Sequence, residues 1–305
     1  MKKRALKNMS ASNRAFYLFS YVFWIVTMFI VIYPLYLVCI SSISDPDAVA
    51  RGQVIWRPVD VSMMGYEAIF ANKEIWIGYA NSLFYTVTSV IIAIFVTLCT
   101  AYVLSRKKLA GRSFISMYFV IPMFFQGGLI PTFLVLKDMG FYDTRAVIIL
   151  YSILTTWNLM VARTYMQTNI PDELYEAAVL DGASHFQYFG KVVMPLSKTI
   201  MGVLAVYYGV AQWNDYYTGM VFIRTRAKLP LQTILKEILA SLKVDMSQAV
   251  MEAMADEIES LEHAYRIASA SKYCSIVIST IPVMFLYIFM QKYFEKGIMI
   301  GSLKG

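Results

Sequence analysis

Apolar positions in this chain gather into long blocks instead of alternating with polar ones. The blocks run from about Phe16 to Ile40, from Asn81 to about Leu104, and from about Phe114 to Leu136. Three more cover about Ala146 to Met166, Thr199 to Ile223 and Tyr273 to Tyr293. A helix rises about 1.5 Å per residue, so about 20 residues cross the roughly 30 Å hydrocarbon core of a bilayer. The pattern predicts an all-α fold, a bundle of six transmembrane helices. The first block is too long for the core of a secretory signal, so it is read as a retained helix. The third is interrupted by Pro122, Gly127, Gly128 and Pro131. Such breaks persist at membrane depth only where neighbouring helices or a water-filled cavity satisfy the freed backbone.

The polar stretches divide the chain. Residues 1–15 form an N-terminal arm, 16–40 the first transmembrane helix, and 41–77 a mixed polar segment. Residues 78–294 form a core of five transmembrane helices containing polar loops at 167–198 and 224–272, and 295–305 form a tail. In the first of these loops Pro171 suits the start of a helix, and Asp172 and Glu173 suit its positive end. Leu174, Ala177 and Ala178 offer it a small apolar face. Gly182 ends that helix in the left-handed conformation. Ser184 and Gln187 have capping-box spacing and start a second helix. Pro195 is expected to stop it by barring helical geometry at Met194. In 224–272, Pro230 opens an amphipathic pattern carried by Leu231, Ile234, Leu235, Ile238, Leu239 and Leu242. Met251, Met254, Ile258, Leu261 and Tyr265 suggest a second amphipathic helix. A simple role for both is a cap on the membrane surface or on the bundle.

Composition supports a membrane protein: 58% of residues are hydrophobic and 15% charged, and mean hydropathy is +0.56. The net charge of +7 raises nucleic acid as a partner, but its distribution fits topology better. Lys2, Lys3, Arg4, Lys7 and Arg14, with Arg106, Lys107, Lys108 and Arg112, lie in short segments without acids. The positive-inside rule puts these segments, both termini and loop 167–198 in the cytoplasm, and 41–77 and 224–272 outside. Cys39, Cys99 and Cys274 fall in apolar runs and imply no disulfide framework.

Asp215 stands out as an ionisable residue inside a span, and such a residue is costly unless it faces a cavity or a partner. With Trp213 and Asn214 it offers a ring, an amide and an acceptor. A transport path and a helix–helix contact both remain open for it. The same two readings hold for Asn158 beside Trp157. Gly127 and Gly128 would permit close approach of a ligand or a helix. His185 and His263 fall on opposite sides, so no metal site is expected.

Glu176-Ala177-Ala178, Gly182 four positions on, and Val192-Val193-Met194-Pro195 after nine more residues resemble the EAA loop of permease subunits in ATP-driven importers. Val192 replaces the family's Ile, and Met194 its Leu. Asp181 and Ala183, completing LDGA, resemble the carbohydrate branch, the maltose-type permeases. Trp213-Asn214-Asp215 and the terminal GSLKG fit the same likeness. The resemblance implies a six-helix type I importer fold and a coupling loop made by Glu176, Ala177, Ala178, Asp181, Gly182, Ala183 and Pro195. It also implies a sister permease subunit, two ATPase subunits that bind ATP and Mg, an extracytoplasmic sugar-binding protein, and no cofactor in this chain. A translocation path through Asp215, Asn214 and Trp213 is expected from that likeness and from their polar chemistry, with Asn158, Gly127 and Gly128 added from the residue types alone. Loop 224–272 would reach the binding protein.

Two other classes fit less well. A secondary transporter needs several buried ionisable groups and often an inverted repeat. A membrane enzyme needs a catalytic cluster, and no HExxH or GxSxG motif is present. The chain also lacks GxxxxGK[ST], so an ATP-driven role requires a separate ATPase.

Overall fold

The computed structural model describes residues 11–240 and 255–302. Every regular element among the described residues is helical. The chain forms two compact units: Met1–Ala71 with Leu239–Ile278, and Asn72–Ile238 with Ser279–Gly305.

The first unit contains α1 (Ala11–Ser41), α2 (Pro46–Ala50) and α3 (Met64–Ala71), with the first part of the long α13 (Ala255–Ser302). Most of α1 is exposed and apolar all round, as a lipid-facing helix must be. Its end packs Leu37 and Ile40 against Ala48, Val49, Val54 and Val59. Asp45 caps α2 through the amides of Asp47 and Ala48, and pairs with Arg266 at 2.8 Å. Burial, the strongest influence on Asp45, raises its pKa, but Arg266 and the two amides outweigh it and hold the carboxyl below its ordinary value. A Cβ on Gly65 would lie 2.7 Å from both the Ala270 backbone and the Cys274 sulfur, so α3 meets α13 only because that side chain is absent.

The second unit is built on α4 (Lys73–Ser105). Along the chain follow α5 (Arg112–Phe124), α6 (Leu129–Asp138), α7 (Arg145–Leu150) and α8 (Thr156–Asn169). Next come α9 (Asp172–Leu180), α10 (His185–Leu196), α11 (Lys198–Trp213) and α12 (Tyr217–Phe222). Helices α8 and α11 pack along α4 around Ala93, Leu98, Leu159, Met166 and Leu204. Lipid tails are as apolar as leucine, so close packing and hydrogen bonds must hold such helices together. Thr97 and the Tyr208 hydroxyl accordingly lie 2.7 Å apart, and Ser89 donates to the Ile149 carbonyl. A Cβ on Gly209 would lie 2.8 Å from Leu286 of α13.

Among the described residues, three helices are long and apolar enough to cross a membrane, or up to five segments if each bent pair is one span. The expected third span is the pair α5–α6, bent by 119° where Phe125–Gly128 leaves the helix. The expected fourth span is split into α7 and α8, with a break at 151–155. The expected fifth ends as a helix at Trp213 and resumes at Tyr217. Freed backbone and turn geometry, not hydropathy, set these breaks. Met251 and Met254 of the second amphipathic pattern lie outside the described residues, as do residues 1–10 and the tail after Ser302.

Candidate functional site

The loop between α8 and α11 folds as two short helices around a tight corner. Asp172 and Glu173 occupy the first turn of α9, where helix N–H groups face them. At its other end the Gly182 amide bonds the Val179 carbonyl at 3.0 Å, and the Ala183 amide bonds Ala178 at 2.8 Å. That pair of bonds is a Schellman cap, and Gly182 supplies its left-handed residue at φ +77°. Ser184 and Gln187 then form a capping box, with bonds of 2.8 and 3.3 Å.

Pro195 does not stop α10. Met194 is helical (φ −60°, ψ −48°), and the helix continues to Leu196 before turning 75° into α11. The reason is a π turn at Phe189–Val193, in which the Met194 amide reaches back to Phe189. The wider turn displaces the carbonyl that a proline ring would strike in an α-helix.

Leu174 and Ala177 do not form the packed face either. Both are exposed; of the expected face Ala178 turns inward, and Tyr175 joins it. The rotation of α9 is fixed by its neighbours. Asp172 pairs with Lys107 at 2.9 Å and approaches Arg106 at 4.0 Å. The Arg106 guanidinium lies 5.0 Å from the Tyr102 ring, 5.4 Å from Tyr175 and 5.6 Å from Tyr188. Tyr175 also stacks on His185 with centroids 5.5 Å apart. The Lys107 hydrogen bond is the main influence that lowers the Asp172 pKa below its ordinary value. A cavity of about 580 Å³ opens here between α4 and the two short helices, lined by Cys99, Arg106, Glu176, His185, Phe186 and Phe189 among others.

The outward surface carries Glu176, Ala177, Leu180, Asp181 and Phe186, with Leu180 and Phe186 each 89% exposed. A negative charge flanked by two projecting apolar side chains suits insertion into a partner's groove. Gly182 is exposed at the corner, Ala183 is half-buried and Pro195 is exposed.

The second group of expected site residues is dispersed. Trp213 is 3% exposed; its indole N–H donates to the Ser279 carbonyl at 2.8 Å, and its ring meets Tyr79 edge-on. Asn214 is exposed and donates to its own helix at Val210. Asp215 lies past the end of α11, half-buried, and accepts from the Thr218 amide at 3.0 Å. The three therefore do not share one helical turn. Asn158 is buried on α8. Gly127 and Gly128 sit exposed in the α5–α6 break; Gly128 has φ +84°, and among the described residues, chain neighbours aside, Pro131 at 3.9 Å is what comes within 4 Å of a Cβ on either.

Asp215 is not the only ionisable residue in the apolar blocks. Arg163 lies within the fourth, and the block boundaries themselves were the signal that could have found it. A second omission is a latch at the start of loop 224–272. Asp143, at φ +55°, accepts from the Arg224 and Thr225 amides and the Thr225 hydroxyl, and pairs with Lys228 at 3.5 Å. Asn81 and Tyr85 of α4 hold the Ala227, Lys228 and Leu229 carbonyls. Among the described residues, no group of three or more His, Cys, Asp or Glu is arranged to hold a metal ion.

The model of the family described as "Binding-protein-dependent transport system inner membrane component" matches residues 99–300. This chain belongs to that family. The permease is 33% identical over 296 residues to the polygalacturonan/rhamnogalacturonan transport system permease protein YtcP of Bacillus subtilis, covering 96% of this chain and 99% of that one. It is 31% identical over 271 residues to Protein LplC of the same organism, covering 89% and 88%. A solved chain titled "Crystal structure of a bacterial ABC transporter involved in the import of the acidic polysaccharide alginate" superposes with TM-score 0.80 at 31% identity, covering 94% of the permease and 99% of that chain. The family is a transport component of the inner membrane, not an enzyme, and it works with an ATPase and a substrate-binding protein.

Proposed function

We propose that the permease is one half of the membrane channel of a carbohydrate importer, paired with a sister permease and driven by two ATPase subunits. The observation that carries the reading is the α9–α10 corner. It is a rigid, doubly capped hairpin that presents Glu176, Leu180 and Phe186 outward while Arg106 and three tyrosines fasten it to α4. Such a part transmits a push into α4, α8 and α11. In this reading Glu176, Ala177, Ala178, Asp181, Gly182, Ala183 and Pro195 make the coupling element, and the termini face the cytoplasm. The chain makes six crossings, with α5–α6, α7–α8 and α11–α12 each counted as one. Asp215, Asn214 and Asn158 are polar partners near the path. Trp213 holds the bundle, and Gly127 and Gly128 form the bend. The relatives named for polygalacturonan, rhamnogalacturonan and alginate support an oligosaccharide as cargo.

The test is uptake in vesicles holding both permeases, with ATPase and binding protein supplied. ATP-dependent accumulation of an oligosaccharide from a panel of neutral and uronate-containing sugars, lost when the ATPase is omitted, supports the reading. Uptake driven by a proton or sodium gradient without ATPase would replace it with an ion-coupled transporter.

A further inference from the structure

Arg163 has no role in that coupling element. It sits midway along α8, within an apolar block, with its side chain half-buried. One guanidinium nitrogen donates to Ser116 of α5 at 3.1 Å, and Nε is buried without an acceptor. Its charged neighbour is a second cation, Arg112, whose Nε donates to the Leu104 carbonyl. No ion pair among the described residues includes either arginine. A guanidinium held against α5 at Ser116, about one turn past Arg112 and without a carboxylate, calls for an anion.

Depth selects its kind. Arg163 lies six residues before the end of α8, and Ser116 four residues after Arg112, the first residue of α5. At about 1.5 Å per residue the guanidinium is roughly 6–9 Å inside the loop end of both helices. That is about the thickness of one headgroup layer, the difference between a 30 Å hydrocarbon core and a bilayer of about 40–45 Å shared between two faces. Throughout its length α5 has no buried residue, and below the site Met117, Tyr118 and Phe124 are 62–74% exposed, an apolar surface for acyl chains. Lys107 and Lys108 lie on the loop that precedes α5.

We propose that Arg163, Ser116 and Arg112 form a binding site for the phosphate of an anionic phospholipid in the cytoplasmic leaflet, with its chains along α5. The proposal rests on the topology given under Proposed function. Basic pockets between helices on the cytoplasmic side are suited to such headgroups. The lipid would steady α5 and α8 where α8 enters the coupling hairpin.

The experiment uses the assembled complex, both permeases with their ATPases, in detergent with added phosphatidylglycerol, and counts retained lipid by native mass spectrometry. Phosphatidylcholine with the same chains is the control. The expected result is selective retention of phosphatidylglycerol that falls about fivefold in Arg163→Gln, the change one basic residue near an anionic surface is worth. Arg163→Lys should keep most of it, and millimolar inorganic phosphate should not compete. Equal retention in wild type and Arg163→Gln overturns the proposal, as does competition by phosphate, which would mean a free-anion site. Loss of the sister subunit with unchanged lipid retention also overturns it and assigns Arg163 to a partner's carboxylate. If Arg163→Gln does not assemble, Arg112→Gln carries the same comparison. Labelling of Lys108→Cys by an impermeant thiol reagent separates the two readings. Reaction from the outer face sinks the topology, whereas reaction only from the inner face with no lipid effect sinks this site alone.

Discussion

Gly182 offers the sharpest test of the proposed coupling corner, because its substitution changes one thing. Nothing lies within 4 Å of a Cβ built there, so a new side chain meets no obstacle. What it meets is its own backbone at φ +77°. The left-handed region costs a non-glycine residue about 1–2 kcal/mol, less for asparagine and aspartate, which hydrogen-bond locally, and more for a β-branched residue. One to two kcal/mol corresponds to a roughly 5- to 30-fold shift away from the capped corner. Two hydrogen bonds, from the Gly182 and Ala183 amides, weaken together, and the direction of α10 relative to α9 is lost. The expected order of ATPase retention on purification through the permease is Gly182, then Asn, Ala and Val. Insertion should be unchanged, since the residue lies outside the packed core. The assay is co-purification of the ATPase with ATP-driven uptake in the same preparation, Glu176→Lys serving as the surface control. If Gly182→Val binds and transports like the parent, or if asparagine is worse than valine, backbone geometry is not what the glycine provides.

Four further outcomes follow from the contacts. Arg106→Met should uncouple ATP hydrolysis from transport and Arg106→Lys should not rescue it, since a flat guanidinium among Tyr102, Tyr175 and Tyr188 contributes about 1–2 kcal/mol that an ammonium cannot match. Asp143 is held down to about 2 by Thr225, first through its hydroxyl and then its amide, against an ordinary value near 3.9. Its ionised form is the one that latches, so its contribution is complete above about pH 4 and lost as pH falls toward 2; pepsin should nick residues 224–229 increasingly across that window, and Asp143→Asn should be nicked already at pH 4. Trp213→Phe keeps the ring against Tyr79 but loses the bond to Ser279, lowering thermal stability of the complex by about 0.5–1.5 kcal/mol. Asp215→Asn keeps an acceptor for Thr218 and should assemble normally, so lost transport in that variant alone would place the carboxylate on the sugar's route.

Hydropathy made the helical fold legible because a bilayer allows few alternatives. The corner between α9 and α10 was legible because Gly182, Ser184 and Gln187 act through bonds to residues within five positions. Sequence reasoning failed where distant residues decide. Pro195 reads as a stop only if the turn before it is α, and nothing local announces the π turn. The buried stripe of α9 passes through Tyr175, not Leu174, because Arg106, on another helix end, rotates it. Trp213, Asn214 and Asp215 are adjacent in sequence, yet the helix ends between them and sends each to a different partner.

The π turn at Phe189–Val193 gives the loop's nine-residue spacing a physical meaning. It holds one residue more than an α-helix would need to reach the same point, and each residue is worth about 100° of rotation. Everything before the turn, including Phe186 and the corner at Gly182, is thereby set at a fixed angle to everything after it. Removing that one residue would let an ordinary α-turn span the same gap, and the outward face of the hairpin would keep its direction. What would be lost is the room made for Pro195, whose ring would then strike the carbonyl four residues before it, like a bolt driven into a bore one size too small.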